Sequence, residues 1–163
     1  MNERMPEEWL IDGFNLLYFL RDRQPHKRKK VPLQGEDRTA LFGLLADFAS
    51  SRKCRVWMVL DGKGDDAEFT AFQTPWFQIC YSQTVSADAV IEKYLCEKKG
   101  RAMFSVVTGD RAVAQMARGS GARVLDAESF FSMLKDIQKE NTDILFKRSV
   151  ESHGFHRPFE GKL

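Results

Sequence analysis

Four aspartates stand where apolar runs of the chain stop. Asp12 closes EWLID (8–12), Asp61 follows RVWMVL (55–60), and Asp110 comes shortly after MFSVV (103–107). Asp88 lies in SADAVIEK (86–93), with Glu92 four residues beyond it, and Asn15 follows Asp12 by three. Carboxylates gathered with few neutralising bases suit a hard divalent cation. Magnesium takes oxygen ligands, keeps several waters, and usually binds through one or two carboxylates plus a substrate phosphate. Such an ion generates hydroxide for in-line attack on a phosphodiester and stabilises the leaving oxygen. No histidine is needed, and His26, His153 and His156 all lie away from these run ends.

These acids share a site only if the elements bring them to one edge. Glu8–Asp12, Arg55–Leu60, Trp76–Tyr81, Met103–Val107 and Ala122–Leu125 read as short strands. Leu41, Leu44, Leu45 and Phe48 recur at helical spacing, with Asp37 placed to cap that helix. Ser86–Lys99 reads as a helix burying Ala87, Val90, Ile91, Tyr94 and Leu95. A further helix follows Asp110 through Met116, and a last one from Asp126 carries Phe130, Phe131, Leu134 and Ile137. Buried strands alternating with helices predict a parallel sheet covered on both faces. In such a sheet ligands bind at the carboxyl ends of the strands. Asp12, Asp61 and Asp110 are expected at that edge, joined by Asp88 and Glu92 from the first turns of their helix.

Each acid also has an ordinary structural use. Asp61-Gly62 is a common turn, Asp88 complements a helix dipole, Asp110 can cap the helix after it, and Asn15 can bond a turn backbone or hold Asp12. It is the convergence of four acids on one edge that favours a site.

Composition narrows the setting. The chain has 163 residues, 43% of them hydrophobic, enough for one domain with a sizeable core. No apolar run approaches the roughly 18 residues of a membrane span, and MNERMPEE lacks a secretory stretch. Cys54, Cys80 and Cys96 have no metal or disulfide spacing, which points to the reducing cytoplasm. The net charge of +2 is uninformative. Its distribution says more: RDRQPHKRKK (21–30) packs six Lys or Arg into ten residues. Arg21, Arg23, Lys27, Arg28, Lys29 and Lys30 are therefore expected to contact phosphates, unless the run is simply a solvated loop. Lys63, Arg111, Arg118, Lys147 and Arg148 could steer phosphates as well. Phe14, Tyr18 and Trp76 could stack on bases, although aromatics more often fill the core.

Taken in order, IDGFN (11–15), VLDG (59–62), SADAVIEK (86–93), VVTGD (106–110) and ARVLDAESF (122–130) resemble the YacP-like branch of the NYN domain family, within the PIN-like nucleases. The resemblance spans roughly Trp9 to Leu134. It implies a five-stranded parallel sheet in a three-layer α/β/α sandwich, PIN-like, and a metal-dependent endoribonuclease acting on single-stranded RNA with Mg2+ or Mn2+. Carried over by position, Asp12, Asp88 and Asp110 match metal-binding acids, Asp61 matches the acid ending the second strand, and Glu92 and Asn15 are supporting residues. Thr108 would add a hydroxyl. The chain departs from the pattern at Gly109, where the family often carries a hydroxyl residue. Residues 1–140 are read as the nuclease domain and 141–163 as a C-terminal tail.

Two phosphoryl-transfer classes fit less well. Phosphatases of the haloacid dehalogenase type place a second acid two residues after the first, where this chain has Phe14. Signalling receiver domains pair acids after the first strand and carry a lysine after the fifth, where Asp126-Ala127 stands. An RNA-binding module of the same fold that does not cut is the third alternative.

Overall fold

Strand β1 (Glu8–Asp12) is the middle of a five-stranded, all-parallel sheet. The computed structural model describes residues 6–22, 35–98 and 103–152. The chain runs outward from β1 through β2 (Arg55–Leu60) to β3 (Phe77–Tyr81), then returns past β1 to β4 (Phe104–Val107) and β5 (Arg123–Leu125). The strand order is therefore β3-β2-β1-β4-β5. Asp12 pairs in register with Val59 of β2, and Ile11 with Val107 of β4.

The pleat explains why these strands are apolar on both sides. Alternate residues point to opposite faces of the sheet. Trp9 and Ile11 of β1, with Val56, Met58 and Leu60 of β2, enter one core. Leu10, Val59 and Val106 enter the other. Helices α1 (Gly13–Asp22), α2 (Gly35–Arg52) and α5 (Ala127–Ser152) pack over the first face. Helices α3 (Ala87–Lys98) and α4 (Arg111–Gly119) pack over the second. This is the expected three-layer α/β/α sandwich. Its larger core is aromatic: Phe130 of α5 meets Trp9 at 5.4 Å and Phe48 of α2 at 5.7 Å between ring centroids.

The opposite, amino-terminal edge is tied by polar groups. Glu8 is buried, accepts a hydrogen bond from the Tyr94 hydroxyl, and lies 3.8 Å from the Arg55 guanidinium. That pairing satisfies a carboxylate which burial alone would penalise. Ser105 donates to Glu7, which also pairs with Arg123 at 3.4 Å.

Several elements differ from the sequence expectation. Asp12 leads directly into α1, where a turn was expected, because Gly13 lets the backbone press against β2: a Cβ there would sit 2.6 Å from Leu60 Cδ2 and 2.9 Å from the Val59 carbonyl oxygen. Helix α2 begins at Gly35, so Asp37 lies inside the first turn and does not precede it; apolar periodicity begins only at Leu41 and cannot locate that turn. A short 3-10 turn at Asp66–Phe69 was not foreseen. Past Asn141 the chain remains helical to Ser152, where no pattern was expected, as α5 simply continues. Among the described residues no helix is long and apolar enough to cross a membrane.

The aromatic core yields a direct prediction. Phe130→Ala should leave a cavity that its ring neighbours cannot fill, and lower unfolding stability by about 3–5 kcal/mol. Urea denaturation would measure this, and a loss below about 1 kcal/mol would mean that Phe130 is not central to the core.

Candidate active site

Chain order reverses between β1 and β4, and at such a switch point the loops diverge and leave a crevice beyond the carboxyl ends of the strands. Asp12 ends β1 in this crevice. Asp61 follows β2, Asp110 follows β4, and Asp88 stands in the first turn of α3. All four line one cleft of about 450 Å³, together with Phe14, Asn15, Tyr18, Ser86 and Gly109. Acids from four separate stretches of chain thus meet at one place.

Their proximity has an electrostatic consequence. Burial pushes the Asp12 carboxyl up to about 6 from an ordinary 3.8, the Asn15 backbone N–H (3.4 Å) partly opposes this, and Asp88, Asp61 and Asp110 raise it further. Asp88 is raised as well, first by desolvation and then by Asp110 and Asp61. Among the described residues the charges acting on Asp12 are all carboxylates.

The acids are held by defined contacts. Asp61 Oδ1 accepts the Ala87 backbone N–H at 2.9 Å, so it caps α3 from another element and fixes the turn that carries Asp88. Ser86 Oγ accepts from Ala89 N–H at 3.1 Å and completes that cap. Asp110 Oδ1 accepts from Ala112 and Val113 N–H at 2.8 and 3.0 Å. The cap uses one oxygen, so it does not compete with a role for the other in the cleft. Thr108 is buried, and its hydroxyl accepts the Asp110 N–H at 3.1 Å. Its own N–H donates to the Leu125 carbonyl, locking the β4 end to β5.

Gly109 explains the departure from the family pattern. A Cβ at this position would lie 2.6 Å from Asn15 Nδ2 and 3.2 Å from its Oδ1. The Asn15 carboxamide therefore occupies the space where a side chain at 109 would stand, and polar atoms reach the cleft from α1 instead.

Other expected residues fall elsewhere. Glu92 is exposed and does not line the cleft. Four residues of helix carry it about 6 Å along the axis away from the sheet edge, so the shared helical face does not make it a neighbour of Asp12. Trp76 precedes β3 and packs against the first core. Tyr18 is 47% exposed on the cleft wall and stacks on Phe14 at 5.8 Å with a 25° tilt, a ledge that sequence reasoning placed in the core by default. Arg111 opens α4 and is exposed, beside the cleft. Arg21 belongs to the last turn of α1, while Arg23, Lys27, Arg28, Lys29 and Lys30 lie outside the described residues.

Among the described residues no three His, Cys, Asp or Glu side chains are arranged to hold one ion directly. A fully protein-built cage is therefore not what these acids form. They fit the looser magnesium arrangement, in which one or two carboxylates bind the ion and water fills the remaining positions. A desolvated carboxylate crowded by other carboxylates is a site that a cation would complete.

Parallel strands in this order, sandwiched by helices and ending in an acidic crevice, define a three-layer α/β domain. The chain matches the YacP-like NYN domain over residues 9–159, and it belongs to that family. The fold is similar to the crystal structure of Rae1 (YacP) from Bacillus subtilis, with a TM-score of 0.68 at 23% identity, covering 88% of this chain and 82% of that one. The W164L mutant of the same protein superposes with a TM-score of 0.68 at 22% identity, covering 89% and 85%. No curated protein matches the chain.

The raised Asp12 carboxyl predicts a pH effect on the metal-free protein. Because the folded value, about 6, lies above 3.8, the native state holds the proton more tightly than the unfolded chain. Ionising Asp12 then costs stability as pH rises from about 4 through 6. Asp12→Asn should raise the Tm of metal-free protein at neutral pH and lose that advantage near pH 4. Equal Tm differences at both pH values would contradict the assigned burial and crowding.

Proposed function

We propose that the protein is a divalent-metal-dependent endoribonuclease that hydrolyses single-stranded RNA in the Asp12 cleft. The observation that carries this reading is the meeting of Asp12, Asp61, Asp88 and Asp110 at the switch point of the sheet. Membership of the YacP-like NYN family, a branch of the PIN-like nucleases, supports the reaction class and the RNA substrate.

In this reading Asp12 and Asp88 hold Mg2+ or Mn2+, with Asp110 reaching the ion through water. An ion bound there supplies a water of lowered pKa and positive charge for the leaving oxygen. Asp61 acts one step back, by setting the turn that carries Asp88. Thr108 does the same for Asp110. The Asn15 carboxamide offers an N–H donor to a phosphate oxygen.

The Tyr18–Phe14 ledge favours a single strand. Only an unstacked base can lie on an exposed ring, and every base has a face to stack. The cleft also merges at Gly109 with neighbouring grooves, so a strand can pass through without presenting an end. That supports cutting within a chain. A non-catalytic RNA-binding module of the same fold is the alternative reading, and it predicts binding without product.

The decisive assay incubates an unstructured RNA with the purified protein and Mg2+ or Mn2+. Cleavage should appear with metal and cease on chelation. Asp12→Asn and Asp88→Asn should each lower the rate by about 100-fold or more, by removing charge from the ion's ligands. Asp61→Asn should cost about 10- to 100-fold, the usual loss for a group that orients a ligand. Full activity in both Asp12→Asn and Asp88→Asn would remove the site assignment, and binding without any cleavage would favour the non-catalytic alternative. Separately, Tyr18→Ala should weaken RNA binding by roughly tenfold, as expected for one lost base–ring stack. Unchanged affinity in an equilibrium titration would return Tyr18 to an idle surface position.

A further inference from the structure

Two grooves leave the acidic cleft, and both do so across Gly109. One lies between α1 and α5, about 400 Å³, and is shared with Asn15, Tyr18 and Phe19. Among the described residues its charged lining is Asp126 and Glu128. The other lies between α4 and the start of α5, about 660 Å³, with Val124 and Leu125 at its base. Its α4 wall carries Arg111, Gln115 and Arg118. These are residues i, i+4 and i+7 of one helix, so they share a face, and the buried Ala114 between them leaves the groove open.

The charges choose between these exits. The first carries no base among the described residues. The second presents two guanidinium groups that form no ion pair among the described residues. Its two acids each cap a helix, and Asp126 lines both grooves and so does not distinguish them. Asp126 Oδ1 caps α5, accepting the Ser129 N–H at 2.7 Å, and Asp110 caps α4 at the rim of the acid cleft. Seven helical residues separate the two arginines by about 10 Å along the axis, enough for each to reach a different phosphate of one strand. Arginine suits this use because its planar fork pairs with phosphate oxygens in two places at once.

We propose that the groove between α4 and α5 is a backbone-binding subsite, in which Arg111 and Arg118 grip two phosphates of the same single strand after it crosses Gly109 from the acid cleft. This rests on the nuclease reading for what happens in the cleft, but the subsite itself is a claim about binding. The strand therefore turns over the glycine and follows α4, and the α1–α5 groove stays empty of it. Arg111 and Arg118 were both foreseen as bases that steer phosphates; their common groove becomes visible only in the folded chain.

The test separates the subsite from the chemistry. A fluorescently labelled, unstructured RNA of about 12 nucleotides is titrated with full-length protein in Ca2+, across a salt series, and the titration is repeated with one of about 4 nucleotides. Wild type, the double variant R111Q/R118Q, and Arg52→Gln are compared. Arg52 ends α2 at the opposite edge of the sheet and serves as the control. Each phosphate contact on a single strand contributes about 0.7 to the slope of log affinity against log salt. The double variant should therefore lose about 1.4 from that slope with the longer RNA, and bind it only as well as wild type binds the shorter one. Arg52→Gln should keep the wild-type slope. An unchanged slope in the double variant, or an equal loss in Arg52→Gln, overturns the subsite. Cleavage of the longer RNA by wild type in Mg2+ is scored independently: its absence would defeat the nuclease reading, while the slope change would still decide the groove.

Discussion

Asp12 is delivered to its position by the parallel pairing of β1 with β2 on one side and β4 on the other. Because the strands run the same way, each releases its chain at the same edge of the sheet, and side chains far apart in sequence come together there. The reversal of strand order between β1 and β4 opens the crevice at the place where Asp12 and Asp110 stand. The acids are then crowded and partly desolvated, which raises Asp12 to about 6. Folding alone would not favour such a cluster. The binding of a cation would offset the repulsion that the sheet imposes.

The structure keeps this arrangement rigid with groups that do no chemistry themselves. Asp61 reaches across to the first amide of α3, Thr108 holds the amide of Asp110, and Gly13 lets α1 begin directly against β2. Asn15 and Gly109 are complementary, since the carboxamide fills the space that a side chain at 109 would need. A single substitution at one member of that pair is thus felt by the other. The departure at Gly109 from the usual family pattern is accommodated locally and leaves a low saddle between the grooves.

Electrostatics organise the surroundings in turn. An acidic centre repels a polyanion, so the route to it must be lined by bases or bridged by metal. The arginines of α4 lie beside the acids and are spaced along the helix axis, whereas among the described residues the α1–α5 exit carries no base. The exposed Tyr18 ring adds an apolar surface on the other side of the cleft. Acid cluster, aromatic ledge and basic groove all meet at or beside one glycine.

Much of this was legible in the residues. The runs EWLID, RVWMVL, WFQICY and MFSVV announce buried strands, and their spacing around helical segments implies a parallel sheet whose carboxyl edge gathers Asp12, Asp61 and Asp110. Those features depend on local pattern and on the fixed handedness of parallel crossovers, which a linear chain carries. What only the tertiary structure decided is distance and direction. Helical spacing suggested that Glu92 accompanies Asp88, yet the rise of the helix carries it out of the cleft. Aromatic character suggested that Tyr18 is core, yet α1 turns it onto the cleft wall. The cap made by Asp61 on Ala87 and the groove shared by α4 and α5 join residues with no sequence signal linking them. Such contacts are set by how whole elements pack, and packing is a property of the assembled layers, not of any one segment.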